Sequence, residues 1–487
     1  MSTKISRRDM VKSISGITLG AGIAAIPFNK SFAEIVPIQP KNKINVIVSP
    51  PGPKSLALIE DVKKYMARSN YTGLYGIGLK GGEGVYIEDM DGNVYIDCLT
   101  SASSTILGYS HDEVAKVYYD ASIRIQQTAF GYSPNPETVT LAKKVMAIAP
   151  GNFEKKVLLG LSGSDSICGA IEAARKYTGK MGIISFNLAY HGSTGLSQEA
   201  SGFRALNEGI YDLNDPDFIK VKFPVTSEDG EIVLRNIESI LSLGKTAAVI
   251  VEVIQGDGGT IFTPTDFFPR LREMLTYYKV LLIDDEVQSG MGRTGKWCAI
   301  DHEGVVPDIT VFGKGLASGY APVSAIVGRQ DVLDSMVPAT HIFTFTGHGP
   351  SVSAASKVLD IVVEENLIVN AANVGAHLLK GLKEAEAKYP DVIVEARGRG
   401  LMIGIEINLS QNILASKVFA YRCLEKGIYF GYIGDKQRVI RVLPPIILSQ
   451  NEADEIIRVV HETSEEMHSN RIPKETLDKV NKFALGW

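Results

Sequence analysis

The sequence has little cysteine and little excess of either charge, and both shortages exclude classes of protein. Its four cysteines, Cys98, Cys168, Cys298 and Cys423, are too few and too scattered over 487 residues for a disulfide scaffold. The formal net charge is only −5 and long basic runs are missing, so nucleic acid is not an expected partner. Beyond residue 33 the sequence also lacks the roughly 18 consecutive apolar residues of a membrane span. We therefore expect a large globular enzyme without stable membrane insertion.

What the sequence does contain is a balanced mixture of residues for a folded core. Hydrophobic residues make up 45% of the chain and charged residues 22%, together with 47 glycines and 21 prolines. This length and composition are typical of two or three domains, or of one large α/β domain with a smaller partner. We expect no metal site.

The first 33 residues differ from the remainder and resemble an export signal. The paired Arg7 and Arg8, in the string SRRDMVK, precede a weakly apolar run over residues 14–28. Ser31 and Ala33 supply the small residues expected before a cleavage point. The pair resembles a twin-arginine signal, which exports folded cargo. The alternative is an ordinary basic N-terminus on a cytoplasmic enzyme. We expect export and a periplasmic or other extracytoplasmic location.

From residue 156 onward, short apolar runs alternate with amphipathic stretches of helical length. The runs are rich in β-branched residues and nearly continuous, as expected for strands buried on both faces. We predict strands at Lys156–Gly160, Gly182–Phe186, Ala247–Ile254, Val280–Asp284, Ile309–Gly313 and Val323–Val327. Helices are predicted between them, for example at Asp165–Thr178 and Asp266–Tyr278. The alternation predicts an α/β fold whose mostly parallel sheet is covered by helices.

A change of pattern near residue 361 indicates the domain organisation. A helix, strands around 392–407 and 439–443 and a closing helix near 451–467 favour a smaller α+β domain. Residues 34–100 contain a helical lead-in and a hairpin-like segment with Asp91-Gly92 at its turn. We predict a signal peptide (1–33), an N-terminal part of the small domain (34–100), a large cofactor-binding domain (101–360) and a C-terminal small domain (361–487).

Two segments at predicted strand ends point to a ligand with an anionic group and a cationic ring. Leu158–Ser164 leads from a strand through an SGS turn into a helix, whose free N–H groups can bind an anion. The string LLIDDEVQSG ends a strand with Asp284 and Asp285, and one of these carboxylates should face the ligand crevice. A protonated ring nitrogen would be its natural partner. An ordinary turn and a structural ion pair or metal carboxylate are the alternatives.

Two further strand ends carry an amine and an aromatic ring. Lys314 follows a strand between two glycines, where a partly desolvated lysine has the lowered pKa that Schiff-base chemistry needs. Tyr190 and His191 follow another strand, where an aromatic ring can stack on a flat ligand. A solvated loop lysine and a tyrosine at the edge of the core are the alternatives. Jointly, the four features supply what pyridoxal phosphate requires.

The sequence resembles the class III aminotransferases of the fold-type-I pyridoxal-phosphate superfamily. The resemblance extends from about residue 74 to the C-terminus. It rests on the strings SGSDS, AARKYTGK, YHG, VEVIQGDGG, IDDEVQSGMGRTG, PDITVFGKGLASG, TFTGH and IRVLPP. It implies a large domain with a mostly parallel sheet, a small domain from both chain ends, pyridoxal 5'-phosphate, and a homodimer with shared active sites.

Position by position, the resemblance also implies roles for individual residues. Lys314 would form the aldimine with the cofactor, and Asp285 would pair with the ring nitrogen. The other cofactor contacts would be Gly163 and Ser164 at the phosphate, Tyr190 stacked on the ring with His191 beside it, Val287 beneath the ring, Gln288 at the phenolic oxygen, and Thr344 from the neighbouring subunit at the phosphate. Arg441 matches the arginine that binds a substrate carboxylate, and Phe343, Ser103 and Ser104 are predicted to line the substrate site.

Three positions depart from the aminotransferase pattern. Val253 and Gly349 replace prolines, which affects local loop shape. Asp257, in the string IQGDGG, stands where many transaminases have glutamate. The string and the terminal Gly486-Trp487 resemble instead a racemase branch, the isoleucine epimerases and aminocaprolactam racemases, in which this aspartate is an acid/base.

The sequence therefore leaves three functions open. We expect a transaminase that acts on an amino acid and passes its amino group to a 2-oxo acid, with Lys314 as the proton carrier. The close alternative is an amino-acid racemase or epimerase, with Lys314 and Asp257 on opposite faces of the deprotonated substrate. A remote third possibility is an exported binding protein that keeps the cofactor site without turnover.

Overall fold

The fold is taken from a computed structural model that describes residues 43–70, 73–203, 215–410 and 412–483. The predicted signal peptide and the terminal Gly486-Trp487 lie outside these described residues. In these ranges no helix is long and apolar enough to cross a membrane.

Fifteen strands and thirteen right-handed α-helices form the framework of the described residues, together with a left-handed helical turn at Thr100–Ser103. The strands are β1 Leu79–Glu83, β2 Tyr86–Asp89, β3 Val94–Asp97, β4 Lys155–Gly160, β5 Gly182–Phe186, β6 Phe218–Val221, β7 Thr246–Val251, β8 Leu281–Asp285, β9 Ile309–Phe312, β10 Ser324–Arg329, β11 Ile393–Arg399, β12 Met402–Ile407, β13 Ile428–Tyr429, β14 Gly431–Ile433 and β15 Val439–Val442. The helices are α1 Pro53–Tyr65, α2 Asp112–Arg124, α3 Pro136–Ile148, α4 Gly163–Thr178, α5 Gly195–Ala200, α6 Ser227–Leu241, α7 Phe267–Tyr278, α8 Gln330–Leu333, α9 Gly349–Glu364, α10 Leu367–Lys388, α11 Ala415–Glu425, α12 Gln450–His468 and α13 Lys474–Phe483.

A seven-stranded sheet is the centre of the fold, in the order β4-β10-β9-β8-β7-β5-β6. Strands β9, β8, β7, β5 and β6 pair in parallel, whereas β10 is antiparallel to both of its neighbours, β4 and β9. Every residue of β7 and β8 is buried, as the continuous apolar runs predict. The predicted α/β fold with a mostly parallel sheet is confirmed.

Two smaller sheets bring distant parts of the chain together. One has the order β1-β2-β3-β13, so it joins the N-terminal hairpin to a strand near residue 428. The predicted hairpin is present as β2 and β3, and Gly92 at its turn has a φ of +92°. The other sheet has the order β11-β12-β15-β14 and is antiparallel throughout. The domain boundaries stay predictions.

Strand limits differ from the sequence-based expectation at several places. The strand predicted over Ala247–Ile254 ends at Val251, because the next residues turn and the N–H of Gly256 donates to the carboxylate of Glu252 at 3.2 Å. Strand β6 has no counterpart in the prediction, since the segment FIKV is short and contains a charge. Three of the four cysteines are buried and Cys168 is half-buried.

Candidate active site

The residues predicted to carry chemistry follow the carboxyl ends of parallel strands. Strand β10 lies between β4 and β9 and is antiparallel to both, so β4 runs in the same direction as β9. Strands β4, β5, β7, β8 and β9 therefore all end at one edge of the central sheet. The SGS turn follows β4, Tyr190 and His191 follow β5, Asp285 ends β8 and Lys314 follows β9. This edge is where ligands bind in open α/β sheets.

Lys314 occupies a strained position at this edge. It begins a single 3-10 turn, Lys314–Ala317, with a φ of +39°, which non-glycine residues rarely adopt. The preceding Gly313 packs so closely that a Cβ there would lie 3.2 Å from Cγ1 of Val287. Burial lowers the pKa of the Lys314 amine, and Arg441 lowers it further, while Asp257 opposes the shift. A fraction of neutral amine is what a nucleophile or base requires.

Asp285 is buried and has a histidine partner. Nδ1 of His191 lies 2.7 Å from Oδ2 of Asp285, and the N–H of Val287 donates to Oδ1 at 3.1 Å. The neighbouring Asp284 is fully buried, and burial together with Glu286 raises its pKa well above the ordinary value. Of the two carboxylates, Asp285 is therefore the one equipped to meet a cationic ring nitrogen.

The expected anion cradle is the N-terminus of helix α4. Ser162 caps this helix: its hydroxyl accepts from the N–H of Asp165 at 3.3 Å, and its own N–H donates back to that carboxylate at 2.8 Å. Gly163 is packed against Val287, since a Cβ there would lie 2.8 Å from Cγ1 of Val287. The hydroxyl of Ser164 accepts from the N–H of Ser193 at 3.2 Å, which joins the cradle to the segment after His191.

Glu252 is a site residue to which the sequence analysis assigned no role. Its carboxylate accepts from the N–H groups of Tyr190 at 2.9 Å and Gly256 at 3.2 Å, and only 5% of the residue is exposed. Burial, reinforced by Asp285, raises the pKa of Glu252 to about 8. The signal that identified Asp285, a carboxylate just after a buried strand, could have identified Glu252.

Arg441 and Asp257 form an ion pair, and both charges act on the Lys314 amine. Nη2 of Arg441 donates to Oδ1 of Asp257, and Arg441 is buried in strand β15. Burial favours the neutral acid, but Arg441 and Lys314 together lower the pKa of Asp257 below its ordinary value. Nε of Arg441 has no hydrogen-bond partner within the described residues, so the arginine retains a donor for a further anion.

Gln288, Ser103 and Ser104 are linked to the site through a left-handed turn at Thr100–Ser103. All four residues of this turn have positive φ values. The hydroxyl of Ser103 donates to the carbonyl of Gln288 at 3.0 Å and accepts from Nε of Arg293, a fully buried residue, at 2.9 Å. The hydroxyl of Ser104 donates to the carbonyl of Thr100 at 3.2 Å. Arg293 belongs to the motif IDDEVQSGMGRTG, but the sequence predicted no role for it.

Phe343 and Thr344 have other contacts than the residues described so far. The ring of Phe343 packs edge-on against His341, with 5.1 Å between the ring centroids. Thr344 is exposed, and its carbonyl accepts from Nε2 of Gln127. Within the described parts of the chain, neither residue hydrogen-bonds to the group around Lys314. The role predicted for Thr344, a contact with the phosphate bound by a neighbouring subunit, stays a prediction.

Comparison with known proteins identifies relatives over most of the chain. The family model described as aminotransferase class-III matches residues 66–463. An alanine/serine racemase from Pyrococcus horikoshii is 32% identical over 464 residues, which cover 91% of this chain and 95% of the relative. An ornithine aminotransferase from Staphylococcus saprophyticus is 34% identical over 422 residues, which cover 84% of this chain and all of the relative.

A solved structure supports both the fold and the cofactor. The ornithine aminotransferase from Toxoplasma gondii, described with partial occupancy of pyridoxal phosphate at its active site, has a TM-score of 0.77 at 26% identity. The likeness covers 85% of this chain and 95% of that chain. It confirms the predicted fold-type-I architecture, and both kinds of relative that the motifs resemble, transaminases and racemases, are found.

The residues present fit pyridoxal phosphate. A helix N-terminus with glycine at its first position is open to a phosphate group. Asp285, oriented by His191, can hold a protonated ring nitrogen. The buried side-chain amide of Gln288 has an oxygen with no hydrogen-bond partner among the described residues, and Lys314 supplies the amine. Each chemical group of the cofactor thus has a complementary residue at one sheet edge.

Proposed function

Because this chain belongs to the class III aminotransferase family of pyridoxal-phosphate enzymes, we propose that it transfers the amino group of an amino acid to a 2-oxo acid. When bound, pyridoxal phosphate stabilises negative charge at Cα of the amino acid. The protein must then remove a proton from Cα of the amino acid and, for transfer, deliver a proton to the cofactor carbon that is joined to the amino nitrogen. The reaction that follows depends on which side chains are free to carry protons.

The partly buried ion pair between Arg441 and Asp257 carries this proposal. An acid that protonates the second face of a substrate must itself hold a proton, but Arg441 keeps Asp257 ionised by lowering its pKa. Lys314, whose own pKa is lowered by burial, is then left as the mobile base. One base that removes the Cα proton and delivers a proton on the same face, without a second acid opposite, favours transfer over inversion.

Substrate recognition follows from the same pair. Nε of Arg441 is buried and has no partner in the ranges described, so a substrate carboxylate can bind it without first displacing Asp257. The substrate class is therefore an amino acid with a carboxylate in reach of Arg441. Tyr190, Gly163 and Ser164 serve the cofactor in this account, and Glu252 holds the backbone beside Tyr190.

Racemisation is the second candidate, and a specific observation favours it. Asp257 is close enough to Lys314 to influence its pKa, and the position of this aspartate is the departure from the transaminase pattern. If a substrate carboxylate draws Arg441 away, the pKa of Asp257 rises and it becomes a competent acid. The relative from Pyrococcus horikoshii, an alanine/serine racemase, is consistent with this possibility.

One experiment separates the two reactions. The purified holoenzyme is incubated with single L-amino acids in D₂O without any oxo acid. Transamination predicts one half-turnover per active site, with a stoichiometric amount of oxo acid and no excess of D-amino acid. Many turnovers to deuterated D-amino acid would instead identify a racemase. Neither oxo acid nor deuterated amino acid with any amino acid tested would contradict both reactions and support a non-catalytic binding protein.

We also propose that two copies of the chain complete each other's active sites. Thr344 is exposed and lies among large exposed apolar side chains, with Ile342, Phe345 and Tyr132 at 44%, 56% and 92% exposure. Gly131 and Ile342 approach so closely that a Cβ at Gly131 would lie 2.1 Å from Cδ1 of Ile342, so the two segments form one surface. An exposed apolar patch of this kind is typical of a subunit interface.

Export is a separate proposal that rests on the sequence of residues 1–33. The paired Arg7 and Arg8 precede an apolar run, as in twin-arginine signals. Replacing both with lysine should retain the protein in the cytoplasm of the producing cell, as measured by fractionation. Unchanged distribution of the variant, or a wild-type protein that stays in the cytoplasm, would contradict the proposal.

A further inference from the structure

The segment that contains Asp257 has few side chains that could hold it in a fixed position. Between Gln255 and Ile261, whose backbones pair with each other at 3.1 Å, the five residues GDGGT contain three glycines. We call residues 256–260 the Asp257 loop. Glycine lowers the order of a loop because it has the most backbone freedom to lose. Something outside the loop must therefore determine where Asp257 lies.

Two arginines from one sheet contact the Asp257 loop at its two ends. On strand β15, Arg441 pairs with the Asp257 carboxylate. On strand β11, Arg397 donates from Nη2 to the carbonyl of Gly259 at 2.7 Å and from Nε to the carbonyl of Thr260 at 2.9 Å. The remaining nitrogen, Nη1, donates to Glu406 at 2.8 Å and Glu395 at 2.6 Å, which fixes the guanidinium.

Strand register explains why the two arginines act together. Arg397 pairs with Gly404 of β12, and Gly404 pairs in turn with Arg441 of β15. Residues directly opposite each other in a sheet project from the same face, so the row Arg397, Gly404, Arg441 presents two long cations with a gap between them. Thr260 fills the gap: a Cβ at Gly404 would lie 2.9 Å from Cβ of Thr260.

We propose that Arg397 and Gly404 are positioning residues that fix the Asp257 loop on this sheet and thereby keep Asp257 between Arg441 and Lys314. Arg397 holds the loop by its carbonyls, and Gly404 leaves the space in which Thr260 lies. A hydrogen bond from the N–H of Gly434 to the carbonyl of Asp257, at 3.0 Å, fixes the loop at a third point. The proposal rests on the proposed function only in treating the position of Asp257 as important for the reaction.

Amide hydrogen exchange of the Asp257 loop, followed by mass spectrometry of peptides covering residues 255–261, tests the positioning directly. Arg397→Met should speed exchange there at least tenfold, because two charge-assisted hydrogen bonds are lost. Arg397→Lys, with one donor in reach, should give an intermediate rate, and Gly404→Ala should speed exchange by pushing Thr260 outward. The matched control is Arg438→Met, which removes another partner of Glu406, at 2.9 Å, and whose side chain makes no hydrogen bond to the loop among the described residues.

A second measurement separates positioning of Asp257 from a general loss of structure. In the cofactor-free full-length protein, the pH dependence of chemical labelling of Lys314 reports the charge beside it. Arg397→Met should shift this profile to lower pH, in the same direction as Asp257→Asn, and should add nothing to it in the double variant. Arg438→Met should leave the profile unchanged.

The outcomes distinguish this proposal from the proposed function. Unchanged loop exchange in Arg397→Met, or a shift that adds fully to that of Asp257→Asn, would overturn the positioning roles whatever reaction the enzyme catalyses. Conversely, faster loop exchange with a non-additive shift would uphold them even if the D₂O experiment identified a racemase. If Arg397→Met does not fold, Arg397→Lys and Gly404→Ala carry the same test.

Discussion

Arg441 and Asp257 form a partly buried ion pair beside Lys314, with Nη2 of Arg441 donating to Oδ1 of Asp257. The side chain of Arg441 is 5% exposed and that of Asp257 is 24% exposed, so water screens the pair only in part. Both charges act on the Lys314 amine, because Asp257 raises its pKa while Arg441 lowers it. In the mechanism we propose, the choice between transfer and inversion depends on whether this pair stays closed when substrate binds.

Asp257→Asn should lower the pKa of Lys314 further, because it removes a negative charge that opposes the effect of burial. We expect the neutral amine to appear at a lower pH than in the wild-type protein. Chemical labelling of Lys314 as a function of pH in the cofactor-free protein measures this. Asp435→Asn, which removes an exposed carboxylate near the same loop, is the control. A profile that does not move, or moves to higher pH, would show that Asp257 does not act on Lys314.

Glu252→Gln should change how stability depends on pH. The folded protein holds a proton on Glu252 up to about pH 8, whereas the ordinary pKa of glutamate is 4.5. The unfolded chain releases this proton first, so the wild-type protein loses stability as pH rises from about 4.5 to about 8. The variant should lack this loss, a difference in slope of up to about 1.4 kcal/mol per pH unit. Urea unfolding of both cofactor-free proteins across this range measures it, and parallel curves would refute the raised pKa.

His191→Leu should weaken cofactor binding, because Asp285 would lose the ring nitrogen that lies 2.7 Å from its Oδ2. Loss of a hydrogen bond to a buried carboxylate predicts about a 10- to 100-fold higher dissociation constant for pyridoxal phosphate. Titration of the cofactor-free protein with pyridoxal phosphate, followed by fluorescence, measures this constant. His191→Asn keeps a donor near the Nδ1 position and should lose much less. Equal affinity of His191→Leu and wild type would assign His191 no part in the site.

Lys314→Ala and Thr344→Ala should complement each other if active sites are shared between subunits. Each variant alone should have little activity, but mixed dimers would contain one site with both substitutions and one site with neither. Co-expression with two different tags and purification through both isolates the mixed dimer. About half of the wild-type activity per dimer is expected. Mixed dimers no more active than the better parent would place Thr344 within its own subunit's site, or outside any site.

Much of the fold was predictable because its signals are local. The apolar runs predicted both ends of β5, Gly182–Phe186, correctly. The positions of β8, β9 and the hairpin turn were predicted to within one or two residues. The antiparallel direction of β10 and the pairing of β13 with β3 depend on tertiary packing. Neither the direction of β10 nor this pairing produces a pattern of apolar and polar residues, so hydrophobic periodicity cannot predict them.

The candidate active site was predictable to a similar extent. Lys314 and Asp285 could be selected because each lies at the end of a predicted strand, and Asp257 because its string resembles that of the racemase branch. The link from His191 to Asp285 and the row of Arg397, Gly404 and Arg441 could not, because each depends on how separate strands align in space. A one-residue change of register would move Arg397 to the opposite face of its sheet. The roles given to the individual site residues stay predictions until they are measured.

The most direct test of the account asks which residue holds the cofactor. Borohydride reduction of the holoenzyme, followed by proteolysis and mass spectrometry, fixes the cofactor to the lysine that binds it. The account predicts one modified peptide per chain, with the added mass on Lys314, and no modified peptide in Lys314→Ala. Modification of a different lysine in the wild-type protein, or no modification at all, would contradict the assignment of this sheet edge as the active site.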